Sequence, residues 1–404
     1  MLMSSNLLLY PPDYSFGASG SGAVQTRVST VSSAVEELQI QARNTALKKS
    51  HTRRIGGQNS IDNQNRAARA INMVLPLDQV GPSSILDSAL GTAAYFCGGK
   101  GGYDPSHPLI QSITRLIFSG ESLVPTGMQL TASRCYMGTV GESSAGRMAS
   151  GLLAGWVVSD IIDRLTYREE RLSRLSATLA SPAQGSAGLS TKVYGYLIGG
   201  LNIQVLRTTN RFTFSTDTTA FMGSSLPSIA RFAPHNGGGN RYSGYLFGGV
   251  TKGPSDPAAY LFVTSIDKLT YATETFSLIS ASLSASQVSH ALVGNDVKSY
   301  IAGGASERTI QNQFINLIEA FTFGGEVVSP LGVTLSQGKE CADGASSSLA
   351  GYIGGGLTDA AFIGSITIER LTFSSETISV MGVKLNTPLS DQGAVSDYGA
   401  GFIY

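Results

Sequence analysis

The sequence is poor in charge: 14% of its 404 residues are Asp, Glu, Lys or Arg, and 28 basic residues balance 28 acidic ones. With a pI of about 6.9, the chain has no global field that would concentrate it on nucleic acid or on an anionic membrane. It also lacks any apolar run approaching the roughly 18 residues that cross a bilayer. The sequence therefore predicts no nucleic-acid partner and no membrane insertion.

Cysteine and histidine are scarce as well. Cys97, Cys135 and Cys341 are an odd number without a Cys-x-x-Cys pair, so they indicate buried thiols rather than a disulfide framework or a zinc knuckle. The four histidines share no ligand spacing, and no GxxxxGK[ST], GxSxG or HExxH motif occurs. We therefore expect no metal, no cofactor and no catalytic residue, and interpret the chain as a non-enzymatic protein.

What the sequence has in abundance is a repeat of the form Ile-x-Arg-Leu-Thr-Phe. Six copies cover residues 113–118, 162–167, 209–214, 266–271, 318–323 and 368–373. A leucine follows each final aromatic residue by twelve positions, which predicts a constant hairpin between two antiparallel strands. We expect these leucines to be buried at equivalent positions; they are Leu130, Leu179, Leu226, Leu283, Leu335 and Leu385.

A second motif, Tyr-x-x-Gly-Gly, precedes the first one in most repeats. It occupies residues 95–99, 196–200, 245–249, 300–304 and 352–356, and a degenerate copy is assigned to residues 152–156. A further strand before each Tyr gives four short strands per repeat. Because one such sheet cannot cover both of its faces, radial stacking into a propeller is predicted.

The Gly-Gly pair after an apolar strand resembles the repeats of kelch-type, galactose-oxidase-like β-propellers. The resemblance covers roughly residues 60–404 and implies the fold alone, since the Tyr and Trp pair of kelch repeats is missing and Trp156 is the sole tryptophan. Residues 71–77 look like a last strand, and residues 398–404 like a first and second strand without a third or fourth. Joined, these two segments predict an all-β, seven-bladed propeller over residues 56–404, closed by both termini; six blades are the alternative.

An acid follows each repeat aromatic by three residues, and a base recurs inside the repeat. The acids are interpreted as turn residues that accept backbone N–H groups, and the bases as solvated or cross-blade charges. The acids are Glu121, Glu170, Asp217, Glu274, Glu326 and Glu376, and the bases are Arg115, Arg164, Arg211, Lys268 and Arg370.

Residues 1–55 follow different patterns. Residues 1–22 read as an extended apolar anchor peptide with a Gly/Ser tether, or alternatively as a disordered tail. Residues 23–55 follow a heptad pattern that predicts a short α-helix, which either packs on its own domain or associates, preferably as a trimer. The anchor residues are Leu7, Leu8, Leu9, Tyr10, Tyr14 and Phe16, and the oligomerisation residues are Val24, Val28, Val31, Val35 and Leu38.

This layout resembles that of appendage proteins of tailed-bacteriophage virions. The resemblance implies a structural, fibre-like virion protein that docks by its N-terminus on other virion proteins and presents a propeller to a host surface glycan, a host protein or a virion subunit. The alternatives are a propeller enzyme or carbohydrate-binding protein of the galactose-oxidase or kelch type, or a generic kelch-like scaffold, located in the cytoplasm or secreted. Loop residues that could face a ligand are Tyr103, Asp104, His107, His235, Asn236 and Asp256.

Overall fold

A computed structural model describes residues 91–102, 108–226, 231, 237–252, 260–306, 314–358 and 363–398. In this part of the chain, six four-stranded antiparallel sheets form the blades of a β-propeller, accompanied by two small hairpins. The elements of the described residues are all strands, so none of these residues belongs to a helix that could span a membrane. The all-β propeller prediction is thereby confirmed, whereas the predicted N-terminal anchor and helix lie outside the described residues.

Each blade orders its strands from the axis outwards. Blade 1 contains β28 (Gly393–Ser396), β1 (Ala93–Cys97), β2 (Ser112–Ile117) and β3 (Ser122–Gln129). Blade 2 contains β4 (Gly138–Glu142), β5 (Ala145–Ala149), β8 (Ile162–Thr166) and β9 (Arg171–Arg174). Blade 3 contains β10 (Ala187–Ser190), β11 (Tyr194–Ile198), β12 (Thr209–Thr213) and β13 (Thr218–Phe221).

Blades 4 to 6 repeat this order. Blade 4 contains β14 (Gly238–Gly239), β15 (Ser243–Phe247), β18 (Ser265–Thr270) and β19 (Thr275–Ser282). Blade 5 contains β20 (Ala291–Gly294), β21 (Lys298–Ala302), β22 (Ile318–Thr322) and β23 (Val327–Pro330). Blade 6 contains β24 (Glu340–Ser346), β25 (Ala350–Leu357), β26 (Ser365–Thr372) and β27 (Thr377–Leu389). The small hairpins pair β6 (Leu152–Leu153) with β7 (Val157–Val158), and β16 (Val250–Lys252) with β17 (Tyr260–Phe262).

The predicted seventh blade is wrong, and the propeller has six blades. The reason is the way the ring closes: β28 pairs antiparallel with β1, with Ala94 opposite Ser396 and Cys97 opposite Gly393. The first repeat of the described chain begins with its second strand, so the C-terminal strand supplies the missing inner one. Residues 71–77, which the sequence suggested as part of the extra blade, lie outside the described residues.

The inner strands β28, β4, β10, β14, β20 and β24 contact one another around the axis. Glycine permits this crowding: a Cβ on Gly188 would lie 1.8 Å from the carbonyl oxygen of Thr139. The free edge of an inner strand is bonded to the neighbouring blade, as where the Gly141 amide donates to Ser190 Oγ at 3.1 Å. These inner edges are therefore covered, and a covered edge cannot pair with another chain.

The Gly-Gly pair is left-handed in five blades, directly after the second strand in four of them and within β25 in blade 6. In blade 1, Gly98 and Gly99 have φ values of 61° and 101°, and a Cβ on Gly98 would lie 2.5 Å from Leu130. The Gly99 amide donates to the carbonyl of Arg134 at 2.9 Å, which fixes the segment that crosses to blade 2. The pair is thus required by both backbone conformation and close packing.

Blade 2 corrects the alignment of the degenerate copy. The left-handed pair there is Ser150 and Gly151, with φ values of 62° and 96°. Residues 152–156 instead begin the small hairpin that contains β6. A serine is accommodated because its hydroxyl donates to the carbonyl of Ser159 at 2.9 Å and accepts the Ala183 amide at 2.8 Å.

The repeat leucines are buried, as predicted. The third and fourth strands form the expected hairpin in every blade, with β2 against β3 as the first example. Five of the leucines follow that hairpin, and Leu385 lies within β27. Each is buried with a solvent exposure of 6% or less; the residues are Leu130, Leu179, Leu226, Leu283, Leu335 and Leu385.

The six junctions between blades share one arrangement of side chains. At the first junction the ring of Tyr95 stacks on Tyr167 of blade 2, with the centroids 5.5 Å apart. The Tyr95 hydroxyl donates to the carboxylate of Glu170 at 3.3 Å, and Arg115 forms an ion pair with the same carboxylate. Glu170 occupies a hairpin turn with a φ of 44°. One motif therefore supplies the ring, the base and the acid that join neighbouring blades.

These junctions explain the recurring acids and bases, and they correct the prediction that the acids bind backbone amides. Each acid accepts side-chain groups of the preceding blade and so belongs to a ring of cross-blade contacts. The acids with their donors are Glu170 with Tyr95 and Arg115; Asp217 with Arg147 and Arg164; Glu274 with Tyr196 and Arg211; Glu326 with Tyr245 and Lys268; Glu376 with Tyr300 and Lys298; and Glu121 with Tyr352 and Arg370.

Two junctions depart from the pattern and compensate for it. In blade 2, Arg147 replaces the tyrosine, lies 4.6 Å above the ring of Phe214, and forms an ion pair with Asp217 at 2.9 Å. In blade 5, Ala320 replaces the base of the repeat, and Lys298 on the neighbouring strand supplies the cation at 2.7 Å from Glu376.

Candidate functional site

Every residue that the sequence singled out for docking, association or ligand contact lies outside the described residues. This applies to the anchor residues Leu7, Leu8, Leu9, Tyr10, Tyr14 and Phe16, and to the oligomerisation residues Val24, Val28, Val31, Val35 and Leu38. It also applies to the loop residues Tyr103, Asp104, His107, His235, Asn236 and Asp256. Those assignments stay predictions, and the site described below was not among them.

In the described part of the propeller, a series of backbone hydrogen bonds links five residues near the starts of inner strands. Cys341 N donates to Ser289 O at 2.7 Å, Asp391 N to Cys341 O at 2.9 Å, Tyr136 N to Asp391 O at 2.9 Å, and Gly185 N to Tyr136 O at 2.9 Å. All five residues have φ values between 54° and 59°. This shared geometry marks one equivalent backbone position in five blades, at one end of the axis.

Lys100 lies at this end of the axis, at the position directly after the Gly-Gly pair. The same position is apolar in the other repeats, where it is Leu152, Leu201, Val250, Ala305 or Leu357. Lys100 is 4% exposed, and its Nζ lies 3.3 Å from Asp391 Oδ2 and 2.9 Å from the Tyr136 hydroxyl. We call Lys100, Asp391, Tyr136, Cys135 and Cys341 the axial cluster.

The electrostatics of the axial cluster favour an ion pair over a nucleophile. Burial lowers the pKa of Lys100, but the charge of Asp391 and its hydrogen bond to the ammonium outweigh burial, so that the pKa of Lys100 is raised and it stays an ammonium. Burial raises the pKa of Cys135 to about 12 and that of Cys341 well above its usual value. Thiolates are the reactive and metal-binding form of cysteine, so these two thiols are poorly suited to either role.

The sequence contained a signal for this cluster, which we missed. Aligning the repeats at Gly-Gly puts one lysine among five apolar residues, and such an exception marks a residue with its own partner. Asp391 is buried too, with an exposure of 0%. The ion pair between Lys100 and Asp391 connects blade 1 to the segment just before β28, the strand that closes the ring.

Around the axial cluster, the connections between second and third strands form an apolar layer. Leu152, Leu201, Val250 and Ala305 of these connections are buried together with Cys135, Tyr136 and Val288, which precede inner strands. We call this side of the propeller the loop face. Four of its connections carry exposed apolar side chains: Trp156 and Val157 at 48% and 56%, Ile203 at 99%, Leu261 at 45% and Ile363 at 48%.

Within the described ranges, no group of three or more His, Cys, Asp or Glu residues is arranged to hold a metal ion. The groups that the loop face exposes there include apolar and aromatic side chains. No protein-family model matches the chain, and no curated protein matches it.

Proposed function

We propose that this protein is a structural component of a tailed-bacteriophage virion, of the fibre or appendage type. Its N-terminal region docks on the particle and associates with other copies, preferably as a trimer, and its propeller is presented outwards. The layout of an anchor peptide, a heptad stretch and a β-repeat head supports this role.

The observation that carries the proposal is that the first and the last described residues of the chain meet on one side of the propeller. The carboxylate of Asp397 accepts the amide of Thr92 at 2.7 Å and that of Ala93 at 3.1 Å. Strand β1 runs from this point towards Gly98 on the loop face, so Thr92 and Asp397 belong to the opposite side, which we call the termini face. The described chain thus begins and ends on the termini face, opposite the exposed apolar side chains of the loop face, which supports the appendage role.

Purified particles of the phage that encodes this chain provide the test. We expect the protein to copurify with particles through a density gradient, and antibodies against the propeller to label one defined position in electron micrographs. A protein that remains at the top of the gradient and labels no particle would contradict the virion role.

A carbohydrate-binding role is the second candidate, and Trp156 favours it. The side chain is 48% exposed on a three-residue hairpin turn of the loop face, and an exposed aromatic ring offers an apolar platform with a polar N–H edge. Because Trp156 is the only tryptophan of the chain, its fluorescence reports on this position alone. Titration with host-surface glycans should change the emission if a sugar stacks there, and an unchanged spectrum with every glycan would exclude this site.

A further inference from the structure

The termini face carries an arc of exposed apolar side chains that the propeller itself does not use. Four turns between first and second strands each expose one, in four consecutive blades. The residues, which we call the tip residues, are Val193 at 50%, Tyr242 at 64%, Val297 at 54% and Leu349 at 57% exposure.

The fold needs the backbone at these positions and not the apolar side chains. The carbonyl of Val193 accepts the Phe214 amide at 3.0 Å, and in blade 2 the carbonyl of Ser144 accepts the Tyr167 amide at 3.0 Å. Ser144 therefore fulfils the same structural role with a polar side chain. The apolar character of the four tip residues is left unexplained by the packing of the blades.

The residue before three of the four tip residues adds charge to the arc; before Leu349 stands the uncharged Ser348. Lys192 in blade 3 and Arg241 in blade 4 are basic, whereas Asp296 in blade 5 is acidic, and all three are exposed. The guanidinium of Arg241 lies 4.9 Å from the ring centroid of Tyr242. The basic Arg241 and the acidic Asp296 thus lie on neighbouring turns, on either side of the boundary between blades 4 and 5.

This arrangement is complementary to itself. If two termini faces meet about a two-fold axis that runs in the plane of the face between blades 4 and 5, blade 4 faces blade 5 of the other copy. Arg241 of each copy then faces Asp296 of the other, which gives two equivalent charge pairs. Tyr242 of each copy likewise faces Val297 of the other. By the same rotation Val193 meets Leu349 of the second copy, and the polar Ser144 meets the side of blade 1, where the described chain begins.

We propose that the partner of the termini face is a second copy of this chain, bound through the tip residues in a two-fold symmetric contact. Such a contact is isologous, which is the commonest symmetry of soluble oligomers. Its apolar area is confined to four turn tips, so it belongs to the small, weak class of interfaces with a dissociation constant of roughly micromolar. The inference goes beyond the proposed virion role and does not depend on it.

Charge reversal in the full-length chain tests the pairing. Arg241→Asp places two acids opposite each other, and Asp296→Arg places two bases, so each single variant should raise the dissociation constant by roughly tenfold or more. The double variant Arg241→Asp with Asp296→Arg restores opposite charges only if the two residues face each other in the dimer. Sedimentation velocity over a concentration series measures all four proteins.

The apolar half of the contact has its own variant and control. Replacing all four tip residues by serine, the residue that blade 2 already has, should abolish the concentration-dependent step and leave the thermal midpoint within a few degrees. The control replaces Phe221, Leu278, Val327 and Val380, which are equally exposed on outer strands, and should keep the step. If residues 1–55 also associate, they determine the oligomer mass at low protein concentration, and none of these variants should change that mass.

Two results would overturn the proposal. One is a parent protein whose mass distribution is the same at every concentration. The other is a double charge variant that associates no better than the two single variants, because the contact would then not join these residues. The charge variants alter only exposed side chains, so they decide the matter even if the serine variant does not fold.

Discussion

The Nε of Arg370 lies 3.0 Å from the carboxylate of Glu121. The two residues belong to the last and the first blade, so this ion pair completes the ring of cross-blade contacts at the point where the chain closes on itself. The same junction is joined by the stacked rings of Phe118 and Tyr352, whose centroids are 5.0 Å apart. The propeller is therefore closed by side chains as well as by the backbone of β28.

The role of Lys298 as the cation of blade 5 can be tested by moving the positive charge to residue 320, the usual position of the base in the repeat. Lys298→Ala should cost about 0.2–1 kcal/mol, because it removes a partly exposed ion pair with Glu376. Ala320→Arg in that background puts a base where Arg115 and Arg370 stand in other blades, and should recover most of the loss. A double-mutant cycle from urea unfolding measures the coupling with Glu376→Gln. Equal losses with and without Glu376 would show that the cation has no role at this junction.

Tyrosine hydroxyls of this fold divide into bonded and unbonded ones. The Tyr196 hydroxyl donates to Glu274 at 3.0 Å, whereas the hydroxyls of Tyr167 and Tyr271 are buried without a hydrogen-bond partner. Tyr196→Phe should lose about 0.5–1.5 kcal/mol of unfolding free energy. Tyr167→Phe and Tyr271→Phe should be neutral or stabilising, since an unbonded buried hydroxyl is costly and four other repeats carry phenylalanine there. Destabilisation by either of the last two changes would reveal a partner for the hydroxyl.

Two acids at one repeat position should lose very different amounts of stability on the same substitution. Glu369 pairs with Lys339 at 2.8 Å, and both side chains are almost fully buried, so Glu369→Gln leaves a buried ammonium uncompensated and should cost about 3–5 kcal/mol. Glu319 instead accepts the amide of Gln287 at 2.9 Å, and burial raises its pKa. Glu319→Gln should cost less than about 1 kcal/mol, because the Gln287 amide can turn to present its unbonded oxygen. Thermal unfolding of both variants at pH 7 compares them, and equal losses would contradict this account.

The pH dependence of the ring can be followed at Glu326. Burial raises the pKa of this carboxyl, but hydrogen bonds from Lys268 and Tyr245 and the charge of Lys268 outweigh it, so that the pKa falls below its ordinary value of 4.5. An acid with a lowered pKa in the fold stabilises it above the unfolded value, and this contribution is lost as the pH falls through the folded pKa. Glu326→Gln should therefore be less stable than the parent at pH 6, with a difference that shrinks below pH 4.5. A difference that stays constant down to pH 3 would assign the effect to packing.

The repeat spacing predicted much of the fold because it is a local property. The constant gap from Tyr167 to Leu179 requires a hairpin of fixed register, and the burial of Leu179 follows from that register. The blade count was predicted wrongly because it depends on pairing between the two ends of the repeat region. The sequence marks Gly393–Ser396 as a strand without stating that its neighbour is Ala93–Cys97.

The contacts between blades were less accessible to sequence reasoning. The spacing of Glu170 after Tyr167 suggested a turn, which is correct, yet it could not tell that the carboxylate reaches Arg115 of another blade. The axial pair of Lys100 and Asp391 joins residues at opposite ends of the described chain, and no periodicity links them. Long-range pairs of this kind require the closed ring before they can be recognised.

The closing strand offers the most direct test of the six-bladed architecture. Truncation after Gln392 removes β28, so β1 loses its inner neighbour and the buried Val395 leaves the core. We expect the truncated chain to lose cooperative thermal unfolding, because an open propeller exposes an unpaired strand and both faces of blade 1. Asp397→Ala is the milder control: it removes the carboxylate that accepts the Thr92 and Ala93 amides and should cost about 0.5–1.5 kcal/mol. A truncated protein that melts at the parental temperature would show that β28 does not hold the ring closed.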